Sequence, residues 1–294
     1  MKNYIVHTDL ACESELMHDK NKAGTDYSEE IANGFKVAKL SVKSLKGEIQ
    51  TGKKCGNYIT IFSEMINNID GENFDALTKT VSDEIGAMMQ KAVPQNVSCV
   101  LVAGLGNREI TADNIGPKTV DRLTVTRHIE QFNKNLFDSF CKVPLCAVAP
   151  GVLGQTGIET AEMIRGVCER VHPDIVIAID ALAARSTARL GATVQISDTG
   201  IFPGSGIGNR RNEISRATLG IPVIAVGVPT VVNSATLVYD ALTSAGFEKI
   251  DSNIKQVLHD GESFFVSPRQ SDLISDKVSE LLAAAIDNLF LRKE

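Results

Sequence analysis

The sequence predicts an open, mostly parallel α/β sheet with helices on both faces and a β-rich N-terminal region. Three observations predict it. Four short apolar, β-branched runs read as strands buried on both faces. Amphipathic stretches of helical period separate them. Two runs nearer the N-terminus alternate apolar with polar at period two, as half-buried strands do. Buried strands that alternate with helices indicate parallel strands joined by helical crossovers. No linker, repeat or low-complexity tract divides the 294 residues, so residues 1–294 read as one domain.

In chain order, Phe35–Val42 (FKVAKLSV) and Asn57–Phe62 (NYITIF) are the alternating pair, expected as a β-hairpin or two neighbouring strands. Asn73–Val93 is a long amphipathic helix. The four buried strands are expected at Val97–Ala103, Pro144–Ala149, Ile175–Asp180 and Pro222–Gly227. Between them Lys118–Asn133 presents Val120, Leu123, Val125 and Ile129 at helical spacing, and Ile158–Val171 presents Ile158, Ala161, Ile164, Val167 and Cys168. Gly191–Ser197 (GATVQIS) alternates and is expected near a sheet edge. Ser234–Ala245 and Ser271–Leu291 close the chain as helices, the last with Leu273, Ile274, Val278, Leu281, Leu282 and Ile286 on one side.

Composition narrows the function. Hydrophobic residues make up 43% of the chain, enough for a large core, and the net charge is −6. An acidic chain without tryptophan suits neither nucleic acid nor an anionic membrane. The N-terminus MKNYIVHTDLACESE is not a signal peptide, and no apolar run approaches the roughly 20 residues of a membrane span. The expectation is a soluble, cytoplasmic protein. Cysteines 12, 55, 99, 141, 146 and 168 include no CxxC pair and read as reduced thiols.

In open α/β sheets, sites form beyond the carboxyl ends of the strands. Two strand ends carry chemistry here. After Val97–Ala103 comes GLGNREITADNIGP, which places Asp113 in a loop before a helix. Such an aspartate serves as a turn or N-cap residue in many proteins. The second end is Asp180, closing the apolar run IVIAID. There it is desolvated and its pKa rises, unless backbone N–H groups or Arg185 satisfy it. If the strands are neighbours, the two carboxylates meet, and one keeps a proton while the other activates water. That suits amide hydrolysis without a serine or cysteine nucleophile. No GxSxG elbow, HExxH motif or metal-ligand spacing is present, so no metal or cofactor is expected. The Gly-rich segment from Ser197 to Glu213, with Gly206, Arg210 and Arg211, is either a substrate-binding loop, an anion site or plain surface. Thr156 and Glu159 are spaced as a capping box.

Five motifs in consistent order, GLGNREITADNIGP, PGVLGQTGIET, IVIAIDALAARS, ISDTGIFPGSGIGNRR and IPVIAVGVPTVV, together with HTDLACE, resemble the germination protease family of spore-forming bacteria. The resemblance runs from HTDLACE to about residue 245. It implies a homotetrameric atypical aspartic endopeptidase of the spore core that degrades small acid-soluble spore proteins and is made as a zymogen. It assigns catalysis to Asp113 and Asp180; Asn107, Gly206, Arg210 and Arg211 are the residues expected to bind substrate. Only seven residues precede Thr8, fewer than the family's propeptide has, so residues 1–9 are either a residual propeptide or part of a chain made nearly in its mature form. The segment Thr8–Glu13 resembles the family's substrate motif, which places any self-cleavage between Asp9 and Leu10; the alternative is that these residues begin the folded domain, with Asp9 as a turn or cap. The fold also resembles that of hydrogenase-maturation peptidases, which recognise nickel. That is one alternative. A phosphorylase-like protein using Arg210 and Arg211 for phosphate is the other.

Overall fold

The computed structural model describes residues 8–13, 24–204, 211–247, 251, 253–254, 256–257 and 264–292. Its strands are β1 (Thr25–Ala32), β2 (Phe35–Val42), β3 (Gly56–Phe62), β4 (Val100–Gly104), β5 (Leu145–Val148), β6 (Ile175–Ala184), β7 (Thr193–Ser197), β8 (Val223–Asn233) and β9 (Phe265–Val266). Its helices are α1 (Leu45–Thr51), α2 (Gly71–Ala92), α3 (Ile115–Arg122), α4 (Arg127–Phe132), α5 (Lys134–Phe140), α6 (Leu153–Thr156), α7 (Thr160–Val171), α8 (Arg216–Leu219), α9 (Ser234–Ser244) and α10 (Ser271–Phe290).

The strands described form a single sheet in the order β1-β2-β3-β7-β8-β6-β4-β5, with β9 pairing β8. From β8 through β6 and β4 to β5 the pairing is parallel, as expected of buried strands joined by helices. From β1 to β8 it is antiparallel. The N-terminal region therefore extends the same sheet edge to edge. Apolar residues fall in register across that junction, Ile59 with Ile196 and Ile61 with Val194.

Strand parity builds two cores. Val100, Val102, Ile175, Ile177 and Ile179 face the layer of α2 and α10, together with Leu77, Val81, Val278 and Leu281. Leu101, Ala103, Val176 and Ala178 face the other way, against Ala161 and Ile164 of α7. Asp180 continues this second parity and so lies on the α7 side.

Several boundaries differ from the sequence reading, each for a local reason. β4 begins at Val100, because the Asp174 carboxylate accepts the N–H groups of Ser98 and Cys99 and holds them outside the ladder. The helix expected over 118–133 breaks between Arg122 and Arg127. There Thr124 donates its hydroxyl to Asp287, and Thr126 exchanges hydrogen bonds with Leu145. β6 does not stop at Asp180 but runs to Ala184. β7 is interior, between β3 and β8, and all five of its residues are buried. Its alternation looked like an edge because Gln195 is polar, yet Gln195 faces a docked segment of the chain and not water. Thr156 and Glu159 make no capping box. Thr156 ends α6 and accepts from Ile158 N–H at 3.1 Å, while α7 starts after Glu159 without a side-chain cap. Leu273 is 52% exposed and lies off the buried face of α10. No helix among the described residues is long and apolar enough to cross a membrane.

Candidate active site

β4 and β6 are parallel neighbours, with Gly104 opposite Ile179, and Leu105 N–H extends the ladder to the Ile179 carbonyl at 2.8 Å. The chain then turns away from the sheet while β6 runs on. Two glycines make that turn. Gly106 has φ +112°, and a Cβ there would meet the Asp113 carbonyl at 1.9 Å. A Cβ on Gly116 would meet the Leu105 carbonyl at 2.3 Å and the Ile179 carbonyl at 2.7 Å. The start of α3 is thereby seated against the ends of β4 and β6, and Asp113 is folded back over them.

Asp113 is half-buried and accepts the Asn107 N–H at 2.9 Å. Burial pushes its pKa up to about 6, against the pull of that hydrogen bond. The loop is tied to β8 by Thr230, whose hydroxyl donates to the Ala112 carbonyl at 2.6 Å. Asp180 is 5% exposed. Burial first, then the charges of Asp113 and Asp9, hold its pKa well above the carboxylate range. It accepts the Ala181 N–H at 2.9 Å. Arg185 is not its partner and instead forms a two-pronged pair with Asp240, at 2.7 and 2.8 Å.

The segment Thr8–Glu13 lies beside these groups. Asp9 N–H donates to the Ala183 carbonyl, and Ala183 N–H donates to the Asp9 carboxylate, both at 2.9 Å. Leu10 is fully buried among Leu182, Ala184, Leu190 and Val232. Ala11 packs on Leu40, Val42 and Tyr58. The Glu13 carboxylate accepts the N–H groups of Arg185 and Ser186 at 2.7 and 2.9 Å.

The structure thus brings Asp9, Leu10, Asp113 and Asp180 together. Asn107 is adjacent, with its side-chain oxygen occupied by Gln155 and by Glu109 N–H. Arg211 is half-buried, and its N–H reaches the Pro203 carbonyl at 3.4 Å. Gly206 and Arg210 lie outside the described residues. Two residues that the sequence reading did not single out contact the docked segment. Lys53, just beyond α1, donates to the carbonyls of Thr8 and Asp9 at 3.1 and 2.9 Å. Gln195 of β7 accepts Ala11 N–H and donates to the Asp9 carbonyl at 2.9 Å. The lone amide inside an apolar strand was the available signal for Gln195. Lys53 carried none.

Comparison with known proteins identifies the family. The family model described as germination protease matches residues 5–247. The germination protease of Clostridium acetobutylicum is 38% identical, over 96% of this chain and 94% of its own length. Those of Halalkalibacterium halodurans and Priestia megaterium are 43% and 42% identical over 82% of this chain, spanning 68% and 67% of theirs. Among solved structures, a nickel–iron hydrogenase maturation protease from Thermococcus kodakarensis is similar at a TM-score of 0.32 and 14% identity. It covers 68% of this chain and 98% of that one, a likeness too weak to carry an argument.

Proposed function

The chain belongs to the germination protease family and is an endopeptidase of spore germination, and we propose that Asp113 and Asp180 perform its chemistry, on small acid-soluble spore proteins in the spore core. The observation that carries this reading is the mutual placement of the two carboxyl groups, Asp180 within β6 and Asp113 in the turn that follows its parallel neighbour β4, both with raised pKa values.

The unequal burial assigns the roles. Asp113, with a pKa of about 6, is mostly ionised at neutral pH and takes a proton from water. The water oxygen bonds to the peptide carbon, and the carbonyl electron pair moves onto its oxygen. Asp180, more deeply buried and facing the negative charge of Asp113, holds a proton. It gives that proton to the amide nitrogen as the C–N bond breaks. Proton exchange with solvent resets the pair.

The docked segment supports the reading of substrate and processing. Its TDLACE sequence matches the expected substrate pattern, and it lies across the site with its leucine in an apolar pocket and its glutamate on backbone N–H groups. We take the Asp9–Leu10 bond as the self-cleavage point, with residues 1–9 as propeptide remnant and residues 1–294 working as one peptidase domain. The homotetramer belongs to the same reading. It is supported by the outer edge of the sheet, where among the described residues β1 has no strand beyond it and Ile31, Leu45 and Ile49 are 69–77% exposed.

The test is incubation of a purified small acid-soluble spore protein with the wild type, Asp113→Asn and Asp180→Asn, mapping fragments by mass spectrometry. The reading requires discrete cuts by the wild type alone. Equal digestion by either variant defeats it.

A further inference from the structure

The carbonyl oxygen of Asp9 belongs to the Asp9–Leu10 peptide bond, the bond that the proposed function marks for cleavage. Two donors converge on it from opposite parts of the fold. Lys53 Nζ and Gln195 Nε2 each lie 2.9 Å away. These are the distances at which preorganised donors stabilise a developing oxyanion.

We infer that Lys53 and Gln195 form the electrophilic pocket of this protease and bind the carbonyl oxygen of the bond being cut, more strongly as it becomes negative. The inference rests on the reading of the docked segment as a stand-in for substrate.

The backbones of both donors are held by the fold, and the segment itself completes the orientation of the Gln195 amide. Gln195 sits in an interior strand paired on both sides. Its Oε1 accepts Ala11 N–H at 2.5 Å, which sets the amide so that Nε2 points at the carbonyl. Lys53 follows the left-handed Gly52 that ends α1, and its own N–H is held by the buried Thr51 hydroxyl at 3.1 Å. The residue is only half-buried, yet its ammonium is deep enough that burial lowers its pKa. Among the described residues no ion pair to Lys53 forms. The carboxylates whose charge opposes that shift, Asp9 and Glu13, lie on the segment itself. An ammonium kept out of water and aimed at neutral carbonyls is poorly compensated. It becomes well compensated when the carbonyl electron pair moves onto oxygen. The ammonium then faces an anion in a site of low polarity, and the interaction favours the tetrahedral state over the ground state.

In the hydrolysis outlined above, the water oxygen adds to the Asp9 carbon while Lys53 and Gln195 hold the resulting oxyanion. Re-formation of the carbonyl then expels Leu10 nitrogen with its new proton. Neither residue gains or loses a proton in the cycle. The same pocket serves a spore protein presented in trans once the segment has left.

A simple anchoring role predicts the opposite sign. If Lys53 and Gln195 only hold the segment down, removing them uncovers the cleft.

The experiment uses the full chain and its Lys53→Met, Lys53→Gln, Gln195→Leu and Asp113→Asn variants, each checked for folding by circular dichroism. The substrate is a synthetic peptide containing TDLACE. The ligand is the same peptide with a phosphinate in place of the Asp–Leu amide, a stable anionic mimic of the tetrahedral state. Expected is a fall in kcat of about 10²–10³-fold for Lys53→Met and for Gln195→Leu, with KM little changed and an equal loss of phosphinate affinity. Lys53→Gln, which keeps a neutral donor, should fall between. Unchanged or increased turnover in the Lys53 and Gln195 variants, with phosphinate affinity intact, overturns the inference. If Asp113→Asn is inactive in that same series, the carboxylate reading survives. Turnover retained in Asp113→Asn removes the carboxylate mechanism, and the phosphinate comparison still decides for or against the Lys53–Gln195 pocket.

Discussion

Asp180 is held well above the ordinary carboxylate range by its burial, and next by the negative charge of Asp113. The two groups come from different segments, one from the middle of β6 and one from the turn after β4. They come within electrostatic reach of each other because those strands are parallel neighbours. Two nearby carboxyls that resist joint ionisation make an acid and a base from the same side-chain type.

Asp113→Asn and Asp180→Asn should each remain folded and lose about 10²–10⁴-fold in kcat, the usual contribution of a general acid or base. Steady-state kinetics on a peptide containing TDLACE, alongside thermal melts, measures both. A folded variant of either kind with turnover near the wild type excludes that residue from the mechanism.

Stability should depend on pH in a direction set by the raised pKa. The folded state binds the Asp113 proton more tightly than the unfolded chain, about 6 against 3.8. The protonated folded form is therefore favoured at low pH, and this contribution falls as pH rises from about 4 through 6. Its size is at most about 3 kcal/mol. Asp180 acts with the same sign. Urea titrations of the wild type and Asp113→Asn across this window should converge at pH 4 and diverge above 6, with the variant the more stable. A difference that stays constant with pH contradicts the assigned shift. In the rate profile, kcat/KM should fall below about pH 6, as Asp113 gains its proton.

Gly106→Ala should disable the enzyme from outside the set of reacting groups. The new Cβ would overlap the Asp113 carbonyl at 1.9 Å, and φ +112° is strained for any side chain. The turn must open, and Asp113 then loses the Asn107 N–H. A stability loss of about 1–3 kcal/mol should accompany at least a tenfold loss of kcat. Wild-type kinetics in this variant would mean the loop does not position Asp113.

Self-cleavage, where it occurs, should remove residues 1–9 and leave Leu10 as the new N-terminus. Intact-mass measurement on the wild type and on Asp113→Asn reads this directly. A wild type that digests substrate while its own chain stays whole would make the segment a bound relic of processing. Truncation in both proteins would point to another protease.

Much of this was legible in the primary structure, for stated reasons. Period-two and period-3.6 patterns report which faces of each element are buried. β2 was bounded correctly, and α2 and α10 came within two residues at each end. Asp180 stood out because a carboxylate closing an apolar run is costly unless used, and Asp113 because it falls in the loop beyond a strand's carboxyl end. β1 went unnoticed because its residues are mostly exposed and charged, and an edge strand carries no apolar alternation. The interior place of β7 was misread because Gln195 looked solvent-facing.

What no local pattern carries is which distant segments meet. The sequence by itself determined most element types, the two candidate aspartates and the TDLACE motif, since each depends on residues within one turn or one strand. Tertiary structure alone decided that β4 and β6 are neighbours, so that Asp113 raises the pKa of Asp180. It alone laid Thr8–Glu13 across β6, and it alone brought Lys53 and Gln195, 142 positions apart in the chain, to one carbonyl oxygen. Such meetings are set by the order of strands in the sheet and by the burial that ordering permits. Both are properties of the whole chain, and no single window of it encodes them.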